Sequence, residues 1–263
     1  MNIQLLLIDP QNDFCSPDGS LFVPGADDDM KRLASFINRV GKRLDDIHVT
    51  LDSHRIVDVA HPSYWVNSQG KNPDPFTIIS VSDVENGAWR TTNPNWQSRA
   101  LEYVKELESN GRYALCIWPE HCVIGSKGHS IFPEVSEALC EWERKNFAVV
   151  NYVTKGSNIF TEHYSAIKAE VEDAEDHTTM LNNDFLDVLE EADKIIVTGE
   201  ALSHCVASTV RDAVDFRSDI AKKLVLLEDT SSNVPGFEKL GIDFVEDMKK
   251  LGMEVSTSVD YLS

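Results

Sequence analysis

The sequence predicts an α/β fold in which helices cover both faces of one parallel sheet. Short runs that are apolar throughout recur along the chain, as expected of strands buried on both faces. Amphipathic stretches separate these runs, and such an alternation is typical of a parallel sheet. The apolar runs are residues 3–9, 47–51, 113–118, 147–153, 195–199 and 224–228. The amphipathic stretches include residues 28–44, 100–108, 134–143, 183–192 and 205–216.

Length and composition predict a single domain over residues 1–263. A chain of 263 residues with 42% hydrophobic residues can bury one large core. The segment 66–95 interrupts the alternation because it is polar and rich in asparagine. It has room for at most one short strand, at 76–81. A connection of that length is uncommon in a compact domain, so we expect an insertion that serves as a lid or as a subunit contact.

Charge and cysteine content narrow the class of protein. The net charge of −20 would repel nucleic-acid phosphates and argues against nucleic-acid binding. No apolar stretch approaches the ~20 residues of a membrane span, and the first residues lack the pattern of a secretion signal. The cysteine count is 5, an odd number that favours reduced thiols. We therefore expect a cytoplasmic protein that does not bind membranes.

Reactive side chains follow the first two apolar runs, where ligands bind in parallel sheets. Asp9 ends the first run and precedes Pro10, although an Asp-Pro pair is also a common turn former. The second run ends in Asp52, with His54 two residues later. Side chains at i and i+2 of an extended segment share a face, and both residue types bind metals. A hydrogen-bonded loop anchor explains this pair equally well.

Three further runs also end in reactive groups. His121 follows the third run and offers a third metal ligand. Lys155 ends the fourth run, as a surface charge or as a cation that favours a nearby thiolate. Cys205 follows the fifth run at a strand-to-helix elbow, where unpaired N–H groups favour a thiolate. Each signal is weak alone, but five strand ends that each deliver a reactive group predict one catalytic site.

These motifs resemble the nicotinamidase branch of the isochorismatase-like cysteine hydrolases over essentially the whole chain. The resemblance rests on LIDPQNDF (7–14), DSH (52–54), WPEHCV (118–123), TKG (154–156), HYSA (163–166) and GEALSHCV (199–206). The Trp-Pro-x-His-Cys element is the sharpest part, because it is similar to nicotinamidases and is not expected in isochorismatase-type relatives. The fold of this family, a parallel sheet flanked by helices, agrees with the alternation above.

The resemblance implies specific roles for the strand-end residues. The catalytic triad would be Asp9, Lys155 and Cys205. One divalent metal ion would be held by Asp52, His54 and His121, with zinc as the first choice and iron or manganese as alternatives. A cis peptide would join Glu200 to Ala201, and the backbone N–H groups of Ala201 and Cys205 would form the oxyanion hole.

The resemblance also implies the substrate and the reaction. The enzyme would convert nicotinamide to nicotinate and ammonia through a thioester on the cysteine, in pyridine nucleotide salvage. Phe14, Trp118 and His204 would line the substrate pocket, although core packing explains the two aromatic residues and a solvent-facing position explains His204. His61 is either a further metal ligand or a loop histidine. Family members are often oligomeric, so we expect a homo-oligomer.

Departures from the family pattern keep other functions open. Ser53 stands where the family commonly has tryptophan, Arg55 stands where it has proline, and the connection from His54 to Trp118 is long. These changes favour an alternative in which the same chemistry acts on another small amide or carbamoyl compound. A third hypothesis is a non-catalytic binding protein of the same fold. The intact Asp9, Lys155 and Cys205 argue against it, because such proteins usually lose at least one catalytic residue.

Overall fold

The computed structural model describes residues 1–263. Its strands are β1 (Ile3–Ile8), β2 (Asp46–Asp52), β3 (Trp65–Val66), β4 (Ile78–Ile79), β5 (Arg90–Thr91), β6 (Leu115–Cys116), β7 (Asn151–Lys155), β8 (Lys194–Gly199), β9 (Leu224–Leu227) and β10 (Glu254–Ser256). Its α-helices are α1 (Asn12–Cys15), α2 (Ala26–Val40), α3 (Val81–Glu85), α4 (Gln97–Asn110), α5 (Pro133–Asn146), α6 (Asn183–Glu190), α7 (Ala207–Phe216) and α8 (Glu238–Leu251). None of these helices combines the length and the apolar character that a membrane crossing requires.

The central sheet has six strands in the order β10-β9-β8-β1-β2-β7, and all its pairs are parallel. Strand β1 lies between β2 and β8, and its six residues are all buried. Helix α2 packs against α5, and α7 packs against α8. The predicted fold class is therefore confirmed. The direction of strand progression reverses between β1 and β8, and ligands bind above such a point in an open parallel sheet.

The sixth strand of this sheet is not the predicted one. In the apolar run 113–118 only Leu115–Cys116 is a strand, and it pairs antiparallel with β4 outside the central sheet. Its place in the sheet is taken by β10, which pairs with β9 at the edge. The run is apolar because its side chains are buried below the loops, whereas β10 is a three-residue edge strand that is only partly buried. Burial of the run 113–118 therefore produced the same apolar pattern as a strand of the central sheet.

The insertion at 66–95 contains more regular structure than the single predicted strand. Strands β4 and β5 and helix α3 lie within it, and β5 pairs antiparallel with β3 at its base. Its asparagines hold turns: the side-chain oxygen of Asn67 accepts hydrogen bonds from the backbone N–H groups of Gln69 and Lys71. Ser80 and Asp83 form a reciprocal cap at the start of α3. These elements are too short for their periodicity to show in the sequence.

Candidate active site

The predicted site residues converge on one cavity at the carboxyl end of the central sheet. The cavity is partly open to solvent, and the empty space within it, including its mouth, is about 370 Å³. Predicted residues that line it are Phe14, Asp52, Trp118, His121, Ala201, His204 and Cys205. Leu21, Glu162, Tyr164 and Val234 line it as well. The wall is therefore largely apolar and aromatic, with the polar groups gathered on one side.

Strand ends place the three groups of the predicted triad. Asp9 directly follows β1 with a left-handed backbone (φ 42°), and Lys155 is the last residue of β7. Cys205 lies in a π-helical turn, Leu202–Val206, that leads into α7. Gly199 makes the turn out of β8, because its φ is 112° and a Cβ atom there would lie 2.0 Å from the carbonyl oxygen of Ile8. Only glycine fits that position.

Lys155 connects the members of this group. Its Nζ lies 3.0 Å from Oδ2 of Asp9 and 3.6 Å from Sγ of Cys205. It also donates a hydrogen bond to the carbonyl oxygen of His163 at 3.0 Å. The other carboxylate oxygen of Asp9 accepts a hydrogen bond from the Thr50 hydroxyl at 2.5 Å. The structure thus brings Asp9, Lys155 and Cys205 together, and all three are buried.

Burial sets the charge state of these groups. It raises the pKa of the Cys205 thiol well above its usual value, although the positive charge of Lys155 pulls it down. Burial likewise raises the pKa of Asp9, against the pull of Lys155. Burial would lower the pKa of Lys155, but the carboxylates of Asp52 and Asp9 raise it well above normal. The resting cysteine is therefore a neutral thiol rather than the predicted thiolate, because desolvation outweighs the helix N-terminus.

Asp52, His54 and His121 form a compact cluster beside the triad. One potential ligand atom from each lies within 4.8 Å of the others. Oδ2 of Asp52 lies 3.0 Å from Nε2 of His54 and 3.4 Å from Nε2 of His121. The other oxygen of Asp52 lies 3.0 Å from Nζ of Lys155. One carboxylate and two imidazoles suit a divalent transition metal, and Lys155 joins this cluster to the triad.

The outward nitrogens of both imidazoles have partners. Nδ1 of His54 lies 3.1 Å from a carboxylate oxygen of Asp58, and Nδ1 of His121 lies 2.8 Å from the carbonyl oxygen of Pro119. Because both partners are acceptors, each Nδ1 donates a hydrogen bond away from the cluster and each Nε2 faces Asp52, on the side where a metal would bind. Metal-binding histidines are oriented in this way. The cluster therefore fits the metal that the resemblance implies.

The loop that carries His121 is fixed beside the end of β2. The backbone N–H of His54 donates to the carbonyl oxygen of Cys122 at 3.0 Å, and the N–H of Ile124 donates to the carbonyl oxygen of His54 at 3.0 Å. The N–H of Cys122 donates to the Asp13 carboxylate at 2.7 Å. These bonds bring His121 to the cluster, although β6 lies outside the central sheet.

His61 lies outside the ligand cluster. Its Nδ1 lies 3.0 Å from the carbonyl oxygen of Arg55, and its Nε2 lies 3.3 Å from Nδ1 of His121. It therefore contacts the side of the His121 ring that faces away from Asp52. Burial lowers the pKa of His61 to about 4, so the ring is neutral. Of the two predicted roles, this geometry corresponds to the loop histidine.

Glu162 is a cavity residue that the sequence analysis missed. Its Oε1 lies 4.0 Å from Nε2 of His54, and its buried Oε2 has no hydrogen-bond partner. Burial raises the pKa of this carboxyl group to about 7. Buried carboxylate oxygens normally have partners, so the unpaired oxygen in the cavity indicates a functional position. The only indication of this role in the sequence was the position of Glu162 directly before the HYSA motif.

The wall away from the metal cluster is aromatic. The indole N–H of Trp118 donates to the hydroxyl oxygen of Tyr164 at 3.0 Å. The His204 ring contacts Trp118 edge to face, with ring centroids 5.4 Å apart. Burial lowers the pKa of His204 to about 4, so this ring is also neutral. A flat, uncharged ring is the kind of group that such a wall would hold.

Hydrogen bonds assign the tautomer of His204. Its Nδ1 lies 2.9 Å from Oγ of Ser203. That hydroxyl oxygen accepts a hydrogen bond from the N–H of Val234 at 3.1 Å and still has a proton to donate to Nδ1. In this arrangement the proton of the neutral imidazole is on Nε2. His204 thus offers a single N–H donor on the aromatic wall.

Ala201 presents an unpaired backbone donor beside the cysteine. Its N–H makes no hydrogen bond to another group of the protein, although the residue is buried and lines the cavity. Buried N–H groups without a partner are rare. The peptide bond between Glu200 and Ala201 is cis, as the resemblance implies.

We expect Asp58→Asn to weaken metal binding without unfolding the protein. The neutral side chain cannot accept from both His54 and the N–H of Ala60, which Asp58 now does. Loss of such a supporting carboxylate typically costs about 10- to 100-fold in affinity. Zinc affinity, measured by competition with a chromogenic chelator, should fall accordingly. Asp212→Asn is the matched control, because Asp212 is a buried carboxylate that pairs with Arg112. Equal affinities in the two variants would contradict the expectation.

Comparison with curated proteins gives two relatives. The nicotinamidase of Escherichia coli (strain K12) is 28% identical over 216 residues, which cover 81% of this chain and 76% of that protein. The nicotinamidase of Saccharomyces cerevisiae is 25% identical over 218 residues, which cover 81% of each chain. No protein-family profile matches the sequence.

Three solved structures that share the fold are nicotinamidases or pyrazinamidases. The Acinetobacter baumanii nicotinamidase-pyrazinamidase superposes with a TM-score of 0.65 at 23% identity, over 99% of this chain and 98% of that one. The yeast nicotinamidase bound to the inhibitor nicotinaldehyde has a TM-score of 0.67 at 20% identity, over 97% and 99%. A Pyrococcus horikoshii pyrazinamidase in complex with zinc has a TM-score of 0.59 at 17% identity, over 98% and 99%.

The fold, the converging strand-end residues and the curated relatives agree with one another. The Asp9, Lys155 and Cys205 group and the Asp52, His54 and His121 cluster lie where the family resemblance requires them. The chain is similar in sequence to curated nicotinamidases and has the fold of the isochorismatase-like hydrolases.

Proposed function

We propose that this hydrolase converts nicotinamide to nicotinate and ammonia, with residues 1–263 acting as one catalytic domain. The observation that carries the proposal is the position of Lys155. Its Nζ contacts Asp9, Cys205 and Asp52 at once, so the nucleophile and the metal cluster face the same cavity. Relatives named nicotinamidase support the choice of substrate.

The first step is attack by Cys205 on the amide carbonyl carbon. Asp9 takes the thiol proton as the new C–S bond forms, and its raised pKa makes it a better base than an ordinary aspartate. Lys155 stabilises the sulfur anion, since its ammonium group lies 3.6 Å away. Asp9 must remove the thiol proton during the attack, because burial raises the pKa of Cys205 and keeps the resting thiol protonated.

The backbone N–H groups of Ala201 and Cys205 would stabilise the negative oxygen of the tetrahedral intermediate. The unpaired N–H of Ala201 supports this role, because it needs no reorganisation to accept the charge as it develops. Removal of a single donor of this kind typically costs about 10²- to 10³-fold in kcat.

Collapse of the intermediate breaks the C–N bond. Asp9 returns its proton to the leaving nitrogen, which departs as ammonia, and the acyl group remains on Cys205 as a thioester. A water molecule then adds to the thioester carbonyl as Asp9 accepts a proton from it. Nicotinic acid leaves as the C–S bond breaks, the sulfur recovers its proton from Asp9, and the acid then loses its own proton to water or to the released ammonia, giving nicotinate. Protons and electron pairs balance over the cycle.

Asp52, His54 and His121 would hold the divalent metal ion, for which zinc is the first choice and iron or manganese the alternatives. When bound, the ion would supply a Lewis acid that holds the ring nitrogen of the substrate and acidifies a water. Glu162 lines the same cavity, and its buried Oε2 has no hydrogen-bond partner within the protein. Phe14 and Trp118 would enclose the flat ring, and the N–H of His204 would meet an acceptor on its edge.

Two of the departures from the family pattern, Ser53 and Arg55, do not reach the cavity wall. The Ser53 hydroxyl lies 2.9 Å from Nε2 of His129 and donates to the carbonyl oxygen of Leu51 at 3.0 Å, away from the lining residues. Arg55 is exposed outside the lining. These two positions therefore give no support to a different amide, and nicotinamide remains the substrate that the geometry favours.

We expect the purified protein to release ammonia from nicotinamide, to lose this activity on chelation and to recover it when zinc is added back. Manganese and ferrous iron, added separately, would identify the preferred ion. Benzamide is an informative comparison, because it lacks the ring nitrogen but keeps the ring and the amide. No turnover of nicotinamide with any of the three metals, together with turnover of another small amide, would overturn the proposed substrate.

A further inference from the structure

The insertion at 66–95 supports the segment that carries the aromatic wall of the cavity. Strand β6 has a single strand partner, and that partner is β4 of the insertion. Ile78 pairs with Cys116 and Ile79 pairs with Leu115. Only Ile117 separates β6 from Trp118. The backbone that leads into the cavity wall is thus held by the insertion rather than by the central sheet.

Two hydrogen bonds extend this pairing toward the cavity. The N–H of Ile117 donates to the carbonyl oxygen of Thr77 at 2.9 Å, and the N–H of Phe76 donates to the carbonyl oxygen of Ile117 at 2.5 Å. They place Phe76 level with Trp118, where the rings meet edge to face with centroids 5.8 Å apart. The geometry points to a role for the insertion in the active site: we infer that Phe76 is a positioning residue that holds Trp118 and thereby sets substrate specificity.

The conformation of Phe76 supports a functional role. Its φ is 67° and its side chain is 53% exposed. A bulky residue rarely adopts a left-handed backbone, and such strain is found where the surrounding structure imposes it. A ring that is half in water gains little from burial. Its clear contact with another ring is the one with the Trp118 indole.

The indole of Trp118 makes a single hydrogen bond, and the only other polar anchor of the residue is its backbone N–H, which donates to the carbonyl oxygen of Ala60 at 2.8 Å. The indole N–H is fixed on Tyr164 at 3.0 Å, which leaves the ring free to tilt about that point. His204 and Phe237 contact the indole, at centroid distances of 5.4 and 6.1 Å. Phe76 adds a contact from the insertion. Without it, the indole can move outward, and the cavity widens for bulkier molecules.

The test measures access to Cys205 and does not depend on the identity of the substrate. Cys140 is exposed, so all variants carry Cys140→Ala. The probes are iodoacetamide, which is small, and N-phenylmaleimide, which is bulky and aromatic, and the readout is the ratio of their alkylation rates at Cys205. We expect Phe76→Ala to raise the relative rate of the bulky reagent by about 2- to 10-fold, the range that corresponds to loss of one aromatic pair. Phe76→Tyr keeps the ring and should restore the original ratio.

Phe147→Ala is the matched control. Phe147 also has a left-handed backbone, with φ of 52°, but it is fully exposed and makes no ring contact. Its removal should leave the ratio unchanged. With nicotinamide as substrate, Phe76→Ala should raise KM about 2- to 10-fold while kcat and bound zinc stay constant. This second readout rests on the proposed function.

The outcomes separate the two proposals. An unchanged alkylation ratio in Phe76→Ala overturns the inference, whatever the substrate is. A changed oligomeric mass with an unchanged ratio also overturns it and makes the insertion a subunit contact. A raised ratio together with no turnover of nicotinamide by the parent protein supports the inference and defeats the proposed substrate alone.

Discussion

Replacement of Cys205 by alanine should reduce ammonia release from nicotinamide by at least about 10³-fold, because no other group can form the thioester. The change removes one sulfur atom from a residue that borders the cavity, so folding and metal content should be preserved. Initial rates, circular dichroism and elemental analysis of the same preparation would test this. Cys15→Ala is the matched control, because Cys15 is a buried thiol that does not line the cavity.

The thioester itself gives a second measurement. Acid quenching of the wild-type protein during turnover should trap an acylated peptide that contains Cys205, and the alanine variant should yield none. Substantial activity in the folded Cys205→Ala protein would contradict the mechanism. Metal-assisted attack by water on the amide would then be the simplest alternative.

The strand-end residues could be predicted because a parallel sheet brings its carboxyl ends to one edge. Asp9 follows β1 and Asp52 ends β2, both largely buried strands inside the sheet, whereas Lys155 ends β7, a mostly exposed strand at its edge. The fold class also predicts that these strand ends lie next to one another in the sheet. This part of the site needed only the positions of the strands.

Other parts of the site depend on contacts between distant segments. The loop that carries His121 is held beside Asp52 and His54 by hydrogen bonds that Cys122 and Ile124 make with His54 and Asp13. No local sequence pattern specifies such bonds. Glu162 gains its importance from burial and from an oxygen left without a partner. The contact between the insertion and β6 could not be predicted either, because it pairs segments about 40 residues apart.

The ionisation of Cys205 shows where local reasoning fails. The elbow before α7 suggests a stabilised thiolate, but burial raises the pKa of the thiol by more than Lys155 lowers it. Desolvation depends on the whole surrounding structure and cannot be read from neighbouring residues. Cys205 stays the predicted nucleophile, and the effect of burial on its pKa is what the local pattern does not reveal.

Lys155→Met should cause the second large effect, on activity and on stability together. The methionine side chain fits a similar volume but leaves the carboxylates of Asp9 and Asp52 buried without their shared cation. Breaking a buried ion pair in this way costs about 3–5 kcal/mol of unfolding free energy. Activity should fall at least about 10³-fold, since both the base and the nucleophile lose their electrostatic partner. Urea denaturation and ammonia release would measure the two effects.

The pH dependence of this destabilisation has a definite sign. In the wild type, the ion pairs with His54 and Lys155 hold the pKa of Asp52 well below normal despite burial. Asp52 therefore contributes stability above its unfolded pKa of about 3.9, and this stability is lost as the pH falls. Without Lys155 the pKa values of Asp9 and Asp52 rise. A carboxyl group with a raised folded-state pKa becomes less destabilising as the pH falls, so the deficit of the variant should shrink between pH 7.5 and pH 5.

Two further variants distinguish charge compensation from packing. Lys194→Met removes a lysine that pairs with Glu254 at the surface, and exposed pairs are worth only about 0–1 kcal/mol. The double variant Lys155→Met, Asp9→Asn removes a cation and one of its anions together. It should recover part of the lost stability but none of the activity, because the base is gone. Equal stability of the single and double variants would mean that Lys155 acts through packing, and the electrostatic account of the triad would then be wrong.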